Sequence, residues 1–469
     1  MDSPVISRET RLIMSSSITS AAGPKGHWLK GNLAQFVEGR LGFLEENFQR
    51  HGDVFKIRFG PKPILVFSHP DAVEEILVTK NKSFIKHFAL KNTRTTLGQG
   101  LLTSEGDFWR RQRKLAQPAF HRDQIARHAS MMVDFTTRML ESWKDGQSRD
   151  AQADMMQLTL VIAAKALFDA DVTGESAGAS AAMEVLMKAF TARVGKLVSL
   201  PEWVPTPTNL RLQQAVKSLD SIVFRFISER RKCKDDRNDL LSMLLRAQDE
   251  DGGGMTDRQL RDEAMTLFMA GHETTANTMA WIWYMLAENP GVEKKLHEEL
   301  DGVLAGKAPT IGDLPRLPYT ENVITEVLRL YSTVWLLGRE AIEPVTIAGH
   351  RVPKGWTVYM SQWLVHRDPR WFDDPLEFRP ERWEDGLMKR IPRYAYFPFG
   401  GGPRICIGNT FALMESALLL ATIAGQYRLK LAPDANVVPL PTMTLRPEFG
   451  VKVILERRRP MLANRVEGP

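Results

Sequence analysis

Ten residues near the C-terminus constrain this chain more than any others. Phe399, Gly400, Gly401, Gly402, Pro403, Arg404, Ile405, Cys406, Ile407 and Gly408 run directly into an apolar helical stretch. Three glycines and a proline force a tight, irregular turn. The cysteine lands at a helix N-terminus, where free amide N–H groups favour a thiolate and lower its pKa. Thiolate is the form that ligates iron, and N–H donors to the sulfur tune its electron donation. Two other readings fit the loop taken alone: a turn around a buried, inert cysteine, and a redox or nucleophilic thiol. For the latter, no second cysteine lies near enough to resolve an oxidised thiol.

Cysteine usage narrows this further. The 469 residues hold two cysteines, Cys233 and Cys406, which excludes a disulfide framework, a four-cysteine zinc site and a cysteine-ligated iron–sulfur cluster. A reducing compartment is the simpler reading. Cys233 sits in the charged run Arg231, Lys232, Cys233, Lys234, Asp235 and is expected to be dispensable. The balance of 62 Lys+Arg against 56 Asp+Glu, net +6, is too mild for a nucleic-acid partner. No run of 18 apolar residues predicts a transmembrane anchor, and the first thirty residues lack the apolar stretch of a secretory signal. A cytoplasmic monomer is expected, with residues 1–23 as a flexible arm and 24–469 as a single domain.

The remaining pattern is helix-rich. Residues 53–69 read as two strands around Gly60 and Pro61. Most of 70–330 has helical period, broken at Pro201, Pro205 and Pro207, at Gly252 to Gly254, and at Asn289–Pro290. From 335 to 380 strands and turns alternate; a last helix starts near Asn409, with strand-like segments at 438–456. Residues 80–105 look like a long loop of the kind that often carries function, and 171–215 like a mobile cover. The fold class is mainly α with smaller β-sheets (α+β).

One helix is disturbed in its middle. Thr256 with Gln259 reads as a capping box and Pro290 as a stop, so the helix spans roughly 50 Å at ~1.5 Å per residue. Inside it sits Ala270, Gly271, His272, Glu273, Thr274, Thr275. Glycine and threonine in mid-helix each cost up to ~1 kcal/mol relative to alanine. A Thr274 hydroxyl can bond the Ala270 carbonyl and open the helix locally, where a ligand can approach beside Gly271. A polar patch with a glycine packing contact is the plainer alternative.

Phe399-x-x-Gly402-x-Arg404-x-Cys406-x-Gly408, with Ala412 four residues on, resembles the haem-binding loop of the cytochrome P450 family, and further motifs follow in that family's order across essentially the whole chain. The resemblance implies a single large P450 fold whose long central helix crosses the haem. It implies haem b with Cys406 as axial thiolate, Phe399 shielding the sulfur, Arg404 meeting a propionate, and Gly408 and Ala412 letting a helix pass close to the porphyrin. The segment from Ala270 is similar to the oxygen-activation motif: Ala270 and Gly271 leave room for dioxygen and substrate, and Glu273 with Thr274 delivers protons. His272 holds a variable position and is not expected to ligate iron.

Glu326 and Arg329, three residues apart on a helix, taken alone read as an exposed ion pair on the face opposite Ile324, Val327, Leu328 and Tyr331. With Phe378 to Trp383 they resemble the family's charge triad, in which Arg382 joins them beneath the cysteine loop. Trp109-x-x-x-Arg113 matches its propionate-binding helix, and Arg339 and His366 occupy positions of further propionate partners, ordinary surface charge being the alternative. Arg110, Arg111, Arg113 and Lys114 form a basic face suited to an acidic ferredoxin or flavodoxin; Arg457 to Arg459 read as a solvated end. The expectation is a soluble, bacterial-type haem-thiolate monooxygenase that inserts one oxygen atom of dioxygen into an apolar small molecule, a fatty acid or a terpenoid or steroid-like compound. Its electrons come from a separate ferredoxin or flavodoxin with its reductase, no reductase domain being fused. A gas- or ligand-binding sensor and a peroxide-driven hydroxylase on the same fold are the alternatives.

Overall fold

The computed structural model describes residues 21–91, 93–169, 182, 185, 204–232 and 239–458. The helices that build the site are α1 (Gly106–Ala116), α2 (Ala129–Glu141), α3 (Ala151–Phe168), α4 (Pro207–Lys232), α5 (Asp257–Glu288), α6 (Pro290–Leu304), α7 (Pro318–Leu330) and α8 (Asn409–Ala424). The strands are β1 (Val54–Phe59), β2 (Lys62–Phe67), β3 (Phe84–Lys86), β4 (Ser148–Asp150), β5 (Leu337–Ala341), β6 (Val345–Ile347), β7 (His350–Val352), β8 (Thr357–Met360), β9 (Tyr427–Leu431), β10 (Pro439–Pro441), β11 (Leu445–Pro447) and β12 (Lys452–Arg457).

Helix α5 organises the rest. It opens on the predicted capping box: Gln259 N–H donates to Thr256 Oγ1 (3.2 Å) and Thr256 N–H donates to Gln259 Oε1 (2.8 Å). It ends at Asn289, where Pro290 starts α6. From Leu260 to Leu286 most of its side chains are buried, because α3, α4, α7 and α8 all pack against it. A helix buried on nearly every side is a core helix. Trp281 stacks on Tyr331 with ring centroids 4.2 Å apart, and its Nε1 donates to Leu445 O at 3.1 Å, tying α5 to β11.

The larger sheet has the order β1-β2-β8-β5-β3. Its first two strands form the predicted hairpin, with Phe59 opposite Lys62 and Gly60 at φ +56° in the turn. A parallel step joins β2 to β8, and antiparallel steps carry the sheet through β5 to β3. A second sheet, β4-β12-β9, closes the far side of the core.

The structure corrects several expectations. The segment 80–105 is not a plain loop: β3 pairs with β5 and short helical turns follow at Phe88–Lys91 and Arg94–Leu97. Most of the expected cover at 171–215 lies outside the described residues, and from Pro207 onward the chain is the 26-residue helix α4. Strand β9 has no counterpart in the predicted elements, since five residues between a helix end and a turn carry little period. Helix α5 stays continuous through Thr274. Arg458 is no solvated end: it donates to Asp301 Oδ2 (2.9 Å) and Ala424 O (2.6 Å) beside α8. At the other end, Lys56 N–H donates to Ala22 O (2.8 Å), joining the start of the described chain to β1. Residues 1–20 and Cys233 lie outside the described residues.

Candidate active site

The cysteine loop is built on glycines in a backbone that other residues rarely adopt. Gly400 and Gly402 have φ of +71° and +62°, and a Cβ on Gly402 would stand 1.8 Å from Leu77 O. The Tyr394 hydroxyl accepts from Gly402 N–H (3.2 Å), and Cys406 N–H donates back to Phe399 O (3.0 Å). Cys406 sits just ahead of α8, deep in the protein, yet keeps free surface because it faces an internal cavity. Its thiol departs from the expectation in one respect. Burial pushes the pKa up, and the Gly408 N–H and the Arg113 charge pull the other way without prevailing.

The cavity, about 400 Å³, lies between that loop and α5. Phe399, Arg404, Cys406, Gly408 and Ala412 line one wall; Ala270, Gly271, Glu273 and Thr274 line the other. A Cβ on Gly271 would meet nothing within 4 Å, so the glycine leaves open space where the motif requires it. Thr274 Oγ1 donates to Ala270 O at 2.7 Å, the predicted back-bond, in a helix that is not opened by it. Glu273 is buried and its Oε1 accepts from Thr444 Oγ1 at 2.7 Å. Burial raises its pKa, partly offset by Thr444 and Arg446. His272 points away: its ring stacks on Phe268, its carbonyl accepts from Thr159 Oγ1 (3.0 Å), and burial lowers its pKa to about 4.

Glu326 and Arg329 are not an exposed pair. Both are 0 % exposed, since α7 is buried on that face as well. Arg329 donates Nε and Nη2 to the two Glu326 oxygens (2.9 and 2.8 Å), and donates on to the carbonyls of His366, Pro375 and Glu377. Arg382 Nε donates to Glu326 Oε1 (2.8 Å) and Trp383 Nε1 to Oε2 (2.9 Å). One carboxylate thus gathers an arginine from its own helix and two donors from the segment after Pro380. His366 also belongs here, which corrects its expected contact with a propionate. It is fully buried, does not line the cavity, and its Nε2 accepts from Phe397 N–H (2.9 Å) at the start of the cysteine loop.

Comparison with known proteins agrees with this geometry. A family model described as Cytochrome P450 matches residues 21–455. The chain belongs to the cytochrome P450 family. It is 36% identical over 425 residues to cyclooctatin synthase of Streptomyces melanosporofaciens, covering 90% of this chain and 92% of that protein. It is 35% identical over 432 residues to pentalenene oxygenase of Streptomyces avermitilis, covering 92% and 96%. A second Streptomyces melanosporofaciens protein, cyclooctat-9-en-7-ol 5-monooxygenase, is 36% identical over 421 residues, covering 89% and 91%. The protein is therefore a P450 monooxygenase with haem as cofactor, using dioxygen and external electron donors. No helix among the described residues is long and apolar enough to cross a membrane.

The residues of this P450 fit haem. A buried thiol faces a cavity between two walls, and a bound cation is what stabilises such a sulfur as thiolate. Behind Arg404, which lines that cavity, Arg339 and Lys86 join it in a positive cluster. Arg404 pairs with Glu105, donates to Ser104 O (3.3 Å) and lies 4.2 Å above the Trp109 ring. Arg339 donates to Gly338 O (2.9 Å), and burial lowers its pKa to about 10; it is not surface charge. Lys86, which sequence reasoning missed, is held well below the usual lysine range by burial and then by Arg404. Three cations around Glu105 and Glu263 leave an excess of positive charge, which suits the negative charge of haem propionates. Arg113 does not line the cavity; it donates to Ile405 O (2.9 Å), flanking the sulfur.

The basic face is less bare than its sequence. Arg110 pairs with Asp107 and Lys114 with Glu250, while Arg111 bonds Asp249 at 2.6 Å. Lys86 and Thr444 carried no signal: each is one polar residue in a short strand or turn, and its partners lie far along the chain.

Proposed function

We propose that this P450 monooxygenase hydroxylates a terpenoid hydrocarbon or its alcohol, drawing electrons from a separate, acidic ferredoxin or flavodoxin. The observation that carries the substrate class is the lining of the cavity. Leu97, Leu102, Leu267, Val334, Leu337 and Met443 give it an aliphatic surface, and such a surface binds by apolar burial with few orienting polar groups. The relatives named for cyclooctat-9-en-7-ol and pentalenene support the same class over a fatty acid.

In this reading Cys406 would ligate the haem iron, and Arg404, Arg339, Lys86 and Trp109 would hold the propionates. The Glu326, Arg329 and Arg382 set keeps the loop in register, with His366 joining it through Phe397. Haem, when bound, supplies the reductive activation of dioxygen. The chain holds the substrate in a dry, aliphatic space and keeps Thr274 and Glu273 at the wall where protons are needed.

The test is a titration of the purified holoenzyme with polycyclic terpenes and with fatty acids, reading the haem absorption shift. Product analysis with a surrogate ferredoxin and reductase follows. Terpene binding with an oxygenated product is expected. Tight fatty-acid binding with hydroxy-acid product and no terpene turnover would overturn the substrate class.

A further inference from the structure

Glu273 does not hang free in the cavity. Thr444, on the turn entering β11, donates its hydroxyl to Glu273 Oε1 at 2.7 Å. Asn277, one helical turn further along α5, donates Nδ2 to Thr444 Oγ1 at 3.4 Å, and Gln152 at the start of α3 donates Nε2 to Asn277 Oδ1 at 3.0 Å. Thr444 is 5% exposed and Asn277 0%, so water competes little for these bonds. The turn itself is pinned. Leu445 N–H donates to Thr333 O (2.8 Å), Trp281 Nε1 to Leu445 O (3.1 Å), and Thr442 Oγ1 to Thr444 O (2.8 Å).

We propose that Thr444 is a positioning residue for Glu273. Its hydroxyl holds one carboxyl oxygen against the β11 turn, with the Asn277 amide as a weaker second partner, and so keeps the carboxyl in the cavity wall beside Thr274. The proposal rests on the reading of Glu273 as the proton-donating acid. A glutamate side chain has several rotamers, and a fixed donor from another element removes that freedom before reaction. The same bond acts on proton affinity. Burial favours the neutral acid, whereas a hydroxyl donated to the carboxylate favours the charged form. Of the charged groups around it, Arg446 on β11 also favours the carboxylate, and the His272 ring stacks on Phe268 and is neutral. Thr444 thus keeps the acid from holding its proton too tightly to give it up.

The experiment uses the holoenzyme and its infrared carboxyl band, assigned to Glu273 by its loss in Glu273→Gln. In Thr444→Val the pH midpoint of that band should rise by about one unit, the size expected of a hydrogen bond to a charged group. Product formed per NADPH consumed should fall several-fold, with released peroxide making up the difference. Thr444→Ser should restore both. If Glu273→Gln uncouples while Thr444→Val matches wild type in midpoint and coupling, the clamp is wrong and the acid reading stands. A Glu273→Gln variant that couples as well as wild type would overturn the acid reading, and the clamp with it.

Discussion

Arg329 meets Glu326 in a two-pronged pair with no solvent on either side: Nε to Oε2 at 2.9 Å and Nη2 to Oε1 at 2.8 Å, both residues 0 % exposed. The guanidinium has five donors in a fixed plane, and here they also serve the carbonyls of His366, Pro375 and Glu377. Lysine cannot cover that set. Arg329→Lys and Arg329→Leu should both lose stability, the latter by about 3 kcal/mol, because the buried Glu326 carboxylate keeps Arg382 but loses its two-pronged partner and three buried carbonyls lose their donor. Urea midpoints and the haem-to-protein ratio read this. A soluble Arg329→Leu holoenzyme with a wild-type midpoint would show that the set is not what holds the loop.

Cys406→Ser should retain the fold of the loop, since Cys406 N–H still reaches Phe399 O (3.0 Å) and the turn is set by Gly400 and Gly402. The thiolate, and with it the reduced carbonyl absorption band that names the family, should disappear. Survival of that band in the serine variant contradicts the ligand assignment.

What the sequence shows and hides follows from range. The capping box of Thr256 and Gln259, the Thr274 back-bond and the glycine turn around Gly402 are decided within a few residues, so spacing alone discloses them. The same holds for the pair Glu326 and Arg329, though not for its burial, which depends on Arg382 and Trp383 more than fifty residues away. His366 reads as a surface or propionate residue in sequence because nothing local says that Phe397 N–H will take its free nitrogen. The Cys406 pKa fails for a like reason. A helix N-terminus is visible in the sequence, while the depth at which the thiol sits is a property of the packed core.

Two buried histidines set an acid limit. Burial lowers His366 from 6.5 to about 3 and His272 from 6.5 to about 4. Unfolded, both take up a proton below about pH 6.5; folded, they resist until about pH 3–4. The stability they contribute as neutral groups is therefore complete above about pH 6.5 and is lost as pH falls toward those lower values. Urea midpoints should drop steadily between pH 6.5 and pH 4. His366→Leu should be less stable at pH 7, for want of an acceptor at Phe397 N–H, but should show a shallower acid slope. Parallel slopes for wild type and variant would remove His366 from the account.

Gly402 and Gly271 should respond oppositely to alanine. At Gly402, φ is +62° and the new Cβ would stand 1.8 Å from Leu77 O, so the loop must shift. Gly402→Ala should fold poorly and retain little haem. At Gly271 the Cβ meets nothing within 4 Å and alanine is the better helix former by up to ~1 kcal/mol. Gly271→Ala should be as stable as wild type or more so, yet place a methyl in the cavity and weaken turnover. Thermal midpoints alongside turnover separate the two, and equal loss of stability in both variants would contradict the cavity geometry.

The charge of α1 is set partly by a neighbouring loop. Lys114 pairs with Glu250 and Arg111 with Asp249, both carboxylates standing in the loop ahead of α5. If an acidic electron donor docks there, as proposed, these two carboxylates repel it while they hold the basic side chains. Removing them as Asp249→Asn and Glu250→Gln bares Arg111 and Lys114 and adds two positive charges to the face. The exposed Lys114–Glu250 pair contributes little to folding, and the asparagine at 249 keeps an oxygen to accept from Gly253 N–H, so stability should change by no more than about 1 kcal/mol. Association with an acidic ferredoxin should quicken about two- to threefold at low salt, and the gain should vanish near 0.5 M salt, where the screening length falls to about 4 Å. Stopped-flow measurement of haem reduction across an ionic-strength series reads this directly. An unchanged rate at every salt concentration would place the electron donor on another face of the molecule.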